Sequence, residues 1–215
     1  MGGNAIKDLS ASTPAARVPW PTVAVTAVVA AVLLGTVVGV LSRLEDVGNL
    51  VRTGTPWVAA AFAVGALVGR QTRAWIAQAT ATLAALAAVG CLTLANAIYY
   101  GVLNPLADQV AQTWTVIGVL VGVAFGIGGS AWGRSRGSAG GTLAVGVLAA
   151  VVMSEAIGWQ IIGDRSFAPT TMVLLLLIGL TLPFLMLPRD RRRQGVLLAA
   201  GTTIPVVLVM VGAAN

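Results

Sequence analysis

The sequence predicts an all-α, polytopic integral membrane protein with seven transmembrane helices, and three observations carry that prediction. The 215 residues are 57% hydrophobic and 9% charged, whereas soluble domains carry about 25% charged residues. The few charges separate long apolar intervals. Lysine and arginine are concentrated in every second segment between those intervals.

Each apolar interval accommodates one membrane helix, which needs about 17–25 apolar residues. The interval between Arg73 and Asp108 is the longest, but it is too short for two spans with a turn, and Asn104-Pro105 would end its helix. Residues 1–20 are predicted to be a cytoplasmic tail, and residues 21–215 a single transmembrane domain. The predicted helices cover about 21–42, 55–70, 74–100, 113–133, 141–162, 170–187 and 195–213.

The basic residues predict the orientation, because cytoplasmic loops carry the excess of lysine and arginine. With the N-terminus inside, the outer segments hold only Arg43, Arg52 and Arg165, and the C-terminus lies outside. We therefore expect a multi-pass protein of the plasma membrane. The cytoplasmic segments hold Lys7, Arg17, Arg70, Arg73, Arg134, Arg136, Arg189, Arg191, Arg192 and Arg193.

Composition also limits the chemistry. Cys91 is the only cysteine and histidine is absent, so an intramolecular disulfide, a cysteine-based metal motif and a histidine proton shuttle are all excluded. We predict no metal and no cofactor. The short basic clusters lack the contiguous face that nucleic acid requires, so the expected partners are membrane lipid and a hydrophobic small molecule.

Small residues four apart let membrane helices approach closely. Such spacings occur at Gly35/Gly39 and Gly65/Gly69, and helix four has a tandem at Gly118, Gly122 and Gly126. The tandem predicts a central helix that packs against its neighbours along much of its length. Glycine-rich faces of this kind also offer a surface for a homo-oligomer.

The candidate site is a group of polar residues at one depth of the predicted bundle. Glu155 lies inside helix five, and an ionisable residue within a span is a functional-site hypothesis by default. Asn96, Tyr99 and Tyr100 are expected at a similar depth on one face of helix three. Trp159 shares a face of helix five with Glu155. Toward the outer surface follow Asn104, Asp108, Gln160, Asp164 and Arg165. We expect a cavity between helices three and five that opens toward the outer leaflet.

Four readings of Glu155 are open from the residues. It could be the acid of an enzyme on an apolar substrate, helped by Asn96 and Tyr100, with Tyr99 and Trp159 stabilising a developing cation. It could couple proton movement to transport of a small solute. The protein could instead be an accessory subunit without chemistry. Finally, Glu155 could be a structural glutamate that ties helices three and five together by a hydrogen bond.

Three segments carry a resemblance to known proteins: TPWVAAAFAVGALVGR (55–70), ANAIYYG (95–101) and VVMSEAIGW (151–159). They resemble those of an uncharacterised family of small polytopic bacterial membrane proteins. The general layout is also similar to integral-membrane terpene cyclases. That similarity implies proton-initiated cyclisation of an isoprenoid or prenylated substrate, without metal, with Glu155 as the acid. For a second acid the chain offers only Asp108, Asp164, Glu45 or Asp46, all near helix ends.

Overall fold

The computed structural model describes residues 19–41, 54–100, 109–162 and 169–214, and this part of the chain contains seven helices and no strand. The all-α class and the seven predicted helices are confirmed, although helix four begins at Gln109, one turn before the predicted start. In chain order the helices are α1 (Trp20–Leu41), α2 (Thr55–Gly69), α3 (Ala74–Tyr100), α4 (Gln109–Arg134), α5 (Ala139–Ile162), α6 (Pro169–Met186) and α7 (Arg192–Ala214).

Apolar composition persists along several of these helices. Among the described residues, α1, α5 and α6 each contain a segment long and apolar enough to cross a membrane. Two shorter apolar helical segments lie at Thr55–Gly69 and Trp75–Ala88. This composition fits a membrane protein.

The helix α4 lies at the centre of the fold. It packs against α2, α3 and α5, while α1 packs on α3 and both α6 and α7 pack on α5. The bundle therefore has two groups, α1–α4 and α5–α7, which meet mainly where α4 contacts α5.

Glycines explain how closely α4 approaches its neighbours. A Cβ atom at Gly65 of α2 would collide with the backbone of Gly126, and one at Gly122 would lie 2.6 Å from the Cα atom of Thr82 on α3. The prediction of a central helix packed through its glycines is confirmed for these residues. A homo-oligomer through glycine-rich helix faces stays a prediction.

One end of the bundle gathers the turns after α2, α4 and α6. The indole Nε1 of Trp132, near the end of α4, donates a hydrogen bond of 2.9 Å to the carbonyl oxygen of Met186 at the end of α6. The Arg70 guanidinium, just after α2, lies over the same indole ring. We call this the basic end, and its described arginines are Arg70, Arg73, Arg134, Arg136, Arg189, Arg191, Arg192 and Arg193.

Candidate functional site

Glu155 is buried near the end of α5, with 7% of its surface exposed. Its carboxylate accepts hydrogen bonds from the start of α2. The Thr55 backbone N–H and hydroxyl donate to Oε2 at 2.8 and 2.6 Å, and the Gly54 N–H donates to Oε1. The contact joins residues about 100 positions apart and links the α5–α7 group to the α1–α4 group.

The first turn of a helix needs such a partner, because its N–H groups have no acceptor within the helix. At the start of α2, Pro56 has no N–H, and Trp57 and Val58 already donate to the Gly54 carbonyl oxygen. The N–H groups of Gly54 and Thr55 therefore depend on an acceptor from outside the helix. A carboxylate is especially suitable there, because the helix dipole is positive at this end.

This geometry explains the glutamate in an apolar segment. An ionised carboxyl group only accepts hydrogen bonds, whereas a protonated one also donates. Three donors point at the two oxygens of Glu155, so its carboxyl group is the acceptor in each of these contacts. The sequence analysis offered a hydrogen bond between Glu155 and α3. The hydrogen bonds of Glu155 that the structure describes are made with the start of α2.

The other predicted site residues are only partly described. The backbones of Asn96, Tyr99 and Tyr100 form the end of α3, and that of Trp159 lies in α5, but the side chains of all four lie outside the described residues. Asp108 and Asp164 lie outside them entirely. Gln160 is exposed, and its amide nitrogen lies 2.6 Å from the sulfur atom of Met172 on α6. The grouping of these residues around Glu155 stays a prediction.

A cavity of about 530 Å³ lies between α1, α2 and α3, within the roughly 300–1,000 Å³ of small-molecule sites. We call it the α1–α3 groove. Half of its lining residues are alanines. The lining comprises Thr22, Val23, Thr26, Ala27, Ala30, Ala31 and Leu34 of α1; Trp57, Ala60, Ala61, Ala63, Val64 and Leu67 of α2, with Arg70 and Gln71 after it; and Ala84, Ala85 and Ala88 of α3.

The packing of the three helices opens this groove. Both α1 and α2 pack along α3, but they touch each other over only a short length. Ala84 and Ala88 of α3, both almost fully buried, form the floor. Along the opening, Ala30 and Ala63 are exposed to the surroundings of the bundle.

The groove is apolar along its length and polar at one end. It runs along α2 from Trp57 to Arg70, roughly 20 Å at 1.5 Å per residue. Its polar lining side chains other than Trp57 lie at the Arg70 end, namely Thr22 and Thr26 in the first turns of α1 and Arg70 and Gln71 after α2. The shape and the polarity match an amphiphile with one long apolar chain.

The opposite end of the groove lies next to the Glu155 contact. Trp57, which lines the groove, is two residues after Thr55, which binds the carboxylate. The sequence expectations rest on polar residues and glycine pairs, and they do not include this groove. Its alanines recur in the sequence, at Ala27, Ala30 and Ala31 in α1 and with similar spacing in α2 and α3, but the same pattern also occurs where helices pack tightly.

The described residues include no group of three or more His, Cys, Asp or Glu side chains placed to hold a metal ion. The charges in this part of the chain are strongly uneven. Among the described residues of the basic end, Asp190 is the one acid beside eight arginines, and its contact with Arg191, at 3.7 Å, is the one ion pair.

Comparison with models of protein families gives a match. The model of a family of unknown function, DUF6518, matches residues 16–215 of the chain. No curated protein and no solved structure matches it. The matched range includes all seven helices, the Glu155 contact and the whole α1–α3 groove. The chain therefore belongs to the family of unknown function DUF6518.

Proposed function

We propose that the chain is a seven-span protein of the plasma membrane whose basic end faces the cytoplasm. The position of the eight arginines supports this orientation, since basic residues are retained on the cytoplasmic side. In this orientation the N-terminus is cytoplasmic and the C-terminus lies outside, because successive helices cross the membrane in opposite directions. The Glu155 contact then lies toward the outer face.

In this orientation, the function that the geometry supports best is binding of a lipid-like molecule with one long apolar chain. The observation that carries this proposal is the α1–α3 groove. Its described lining is apolar over about 20 Å, and apart from Trp57 its described polar side chains lie near Arg70. Its exposed edge, at Ala30 and Ala63, would face the lipid tails. An isoprenoid or acyl chain could therefore enter sideways from the bilayer without crossing water.

The test is binding of a radiolabelled polyprenol to the purified full-length protein in detergent. Wild type is expected to bind with a saturable signal. Ala63→Phe, which places a large ring in the groove, is expected to abolish binding. The matched control is Ala59→Phe, because Ala59 is exposed on the same helix but does not line the groove. Equal binding by both variants would contradict the proposal.

A second candidate is the acid-catalysed cyclase, in which the bound chain is an isoprenoid and Glu155 supplies the proton. The short distance along α2 between Thr55 and the groove residue Trp57 favours it. For this chemistry the carboxyl group would have to take up a proton and leave Thr55, so the start of α2 would have to open.

Cyclisation conserves mass, which makes its test specific. Membranes containing the protein are incubated with a prenylated substrate, and the lipid extract is searched by chromatography for an isomer of unchanged mass. The cyclase predicts an isomer from wild type and none from Glu155→Gln. If the protein binds the prenylated substrate but produces no isomer, the lipid-binding proposal stands and the cyclase proposal is wrong.

A further inference from the structure

Two guanidinium groups share one aromatic ring at the basic end. The guanidinium carbon of Arg70 lies 5.5 Å from the centre of the Trp132 ring, and that of Arg136 lies 4.8 Å from it. Attraction to the ring's electron-rich face holds each cation. The Trp132 ring is itself fixed by its hydrogen bond to the Met186 carbonyl oxygen.

Two guanidinium groups on one ring repel each other, and an anion bound to both would reduce that repulsion. The single acid described at this end, Asp190, contacts Arg191 instead. The guanidinium of the neighbouring Arg134 is engaged elsewhere, because it donates to the hydroxyl and carbonyl oxygens of Ser130 at 2.9 and 3.3 Å. The charges of Arg70 and Arg136 are thus available to an anion from outside the chain.

Arg70 connects the aromatic contact at the basic end with the α1–α3 groove, because its guanidinium lies over Trp132 and its side chain also lines the groove. An anion bound at Arg70 would therefore be continuous with the apolar groove. The neighbouring lining residues Gln71 and Thr22 add uncharged hydrogen-bonding groups at the same end. A headgroup at this position lies at the cytoplasmic surface in the proposed orientation.

We propose that the groove binds an anionic amphiphile whose phosphate headgroup is held by Arg70 and Arg136. This inference rests on the proposed lipid-binding function and specifies its substrate class. A phosphate suits the site better than a single-charged group, because arginine pairs with phosphate oxygens in a bidentate manner and two arginines are present. Trp132 is a positioning residue, because its ring contacts both the groove residue Arg70 and Arg136.

The test compares a polyprenyl monophosphate with the polyprenol of the same chain length, using the purified full-length protein in detergent. Wild type is expected to bind the phosphate on the order of tenfold more tightly, the effect of one charge-assisted hydrogen bond. In Arg70→Gln and in Arg136→Gln this preference is expected to fall toward one, while polyprenol affinity stays near that of wild type. Inorganic phosphate is expected to compete only weakly, because it lacks the chain.

The control variant is Arg193→Gln, which removes the same charge from an exposed arginine of the basic end that lies outside the groove. It is expected to keep the preference for the phosphate. A polyprenol that binds as tightly as its phosphate, or an equal loss of preference in Arg193→Gln, would overturn the headgroup assignment and leave the lipid-binding function standing. If neither molecule binds to wild type, the lipid-binding function fails, and the headgroup assignment fails with it.

Discussion

The buried carboxylate of Glu155 accepts hydrogen bonds from both the backbone N–H and the hydroxyl group of Thr55, at 2.8 and 2.6 Å. This pair joins the end of α5 to the start of α2. An acidic residue inside an apolar helix therefore supplies the acceptor that another helix lacks at its first turn. The contact gives Glu155 a structural role whether or not it also acts as an acid.

The Thr55 hydroxyl is the part of this contact that can be removed with least disturbance. Thr55→Val keeps the shape of the side chain but removes one of the two hydrogen bonds that Oε2 of Glu155 accepts from Thr55. We expect a loss of about 1.5–3 kcal/mol in the free energy of unfolding, since the hydrogen bond goes to a charged group. Thr55→Ser retains the hydroxyl and is expected to stay close to wild type. Unfolding in detergent micelles measures both, and equal stability of the two variants would contradict the contact.

Changing Glu155 itself separates its structural role from catalysis. Glu155→Gln replaces one acceptor oxygen by an NH₂ group that faces donors, so we expect it to destabilise the protein by about 2–3 kcal/mol. If Glu155 were a catalytic acid without a role in capping α2, the same substitution would abolish activity with little change in the free energy of unfolding. The two measurements are the midpoint of unfolding in detergent micelles and the yield of the cyclised isomer. Unchanged stability in Glu155→Gln would argue against the helix-capping role.

Because α2 approaches α4 closely, we expect alanine substitutions at two glycines, Gly65 and Gly90, to change the stability of the protein very differently. Gly65→Ala places a methyl group against the backbone of Gly126, which cannot move aside as a side chain could. Overpacking of this kind costs about 1–3 kcal/mol. In Gly90→Ala the new methyl group meets no described atom within 4 Å, and stability should be unchanged or rise by up to about 1 kcal/mol. The two stabilities are compared in micelles, and similar values would contradict this packing.

The proposed orientation predicts which positions face the outside of the cell. In a Cys91→Ala background, cysteine is introduced at Gln160 or at Ser135, both of which are exposed. A membrane-impermeant maleimide should label Gln160→Cys on intact cells. It should label Ser135→Cys, at the basic end, only after the cells are permeabilised. The reverse pattern would place the basic end outside and overturn the proposed topology.

Helix number and helix bounds followed from the sequence because charges are rare and mark nearly every helix end. The role of Gly65 and Gly122 was also predictable, since small residues spaced by four signal close helix packing. The partner of Glu155 was not, because the contact joins α5 to Thr55 about 100 residues away, and helix periodicity says nothing about which helices become neighbours.

The groove could not be predicted for a related reason. Its floor and walls are alanines such as Ala61 and Ala84, which are equally common where membrane helices pack tightly. Whether a row of alanines forms an interface or a cavity depends on the distance between α1 and α2. That distance depends on how each of the two helices packs against α3. That arrangement is a property of the three-helix packing and not of any one segment. Arg70 was predicted as a topology signal, and its place over Trp132 depends on the same packing.

The most direct test of the account is to locate a lipid-like chain on the protein within a membrane. A polyprenol with a photoreactive diazirine near the middle of its chain is irradiated in membranes that contain the full-length protein, and the labelled peptides are identified by mass spectrometry. Labelling should concentrate on groove residues of α1 and α2, such as Ala30 and Ala63, and should disappear in Ala63→Phe but persist in Ala59→Phe. Labels spread evenly over the exposed apolar surfaces of α1, α6 and α7, and unchanged in Ala63→Phe, would contradict a specific lipid-binding groove.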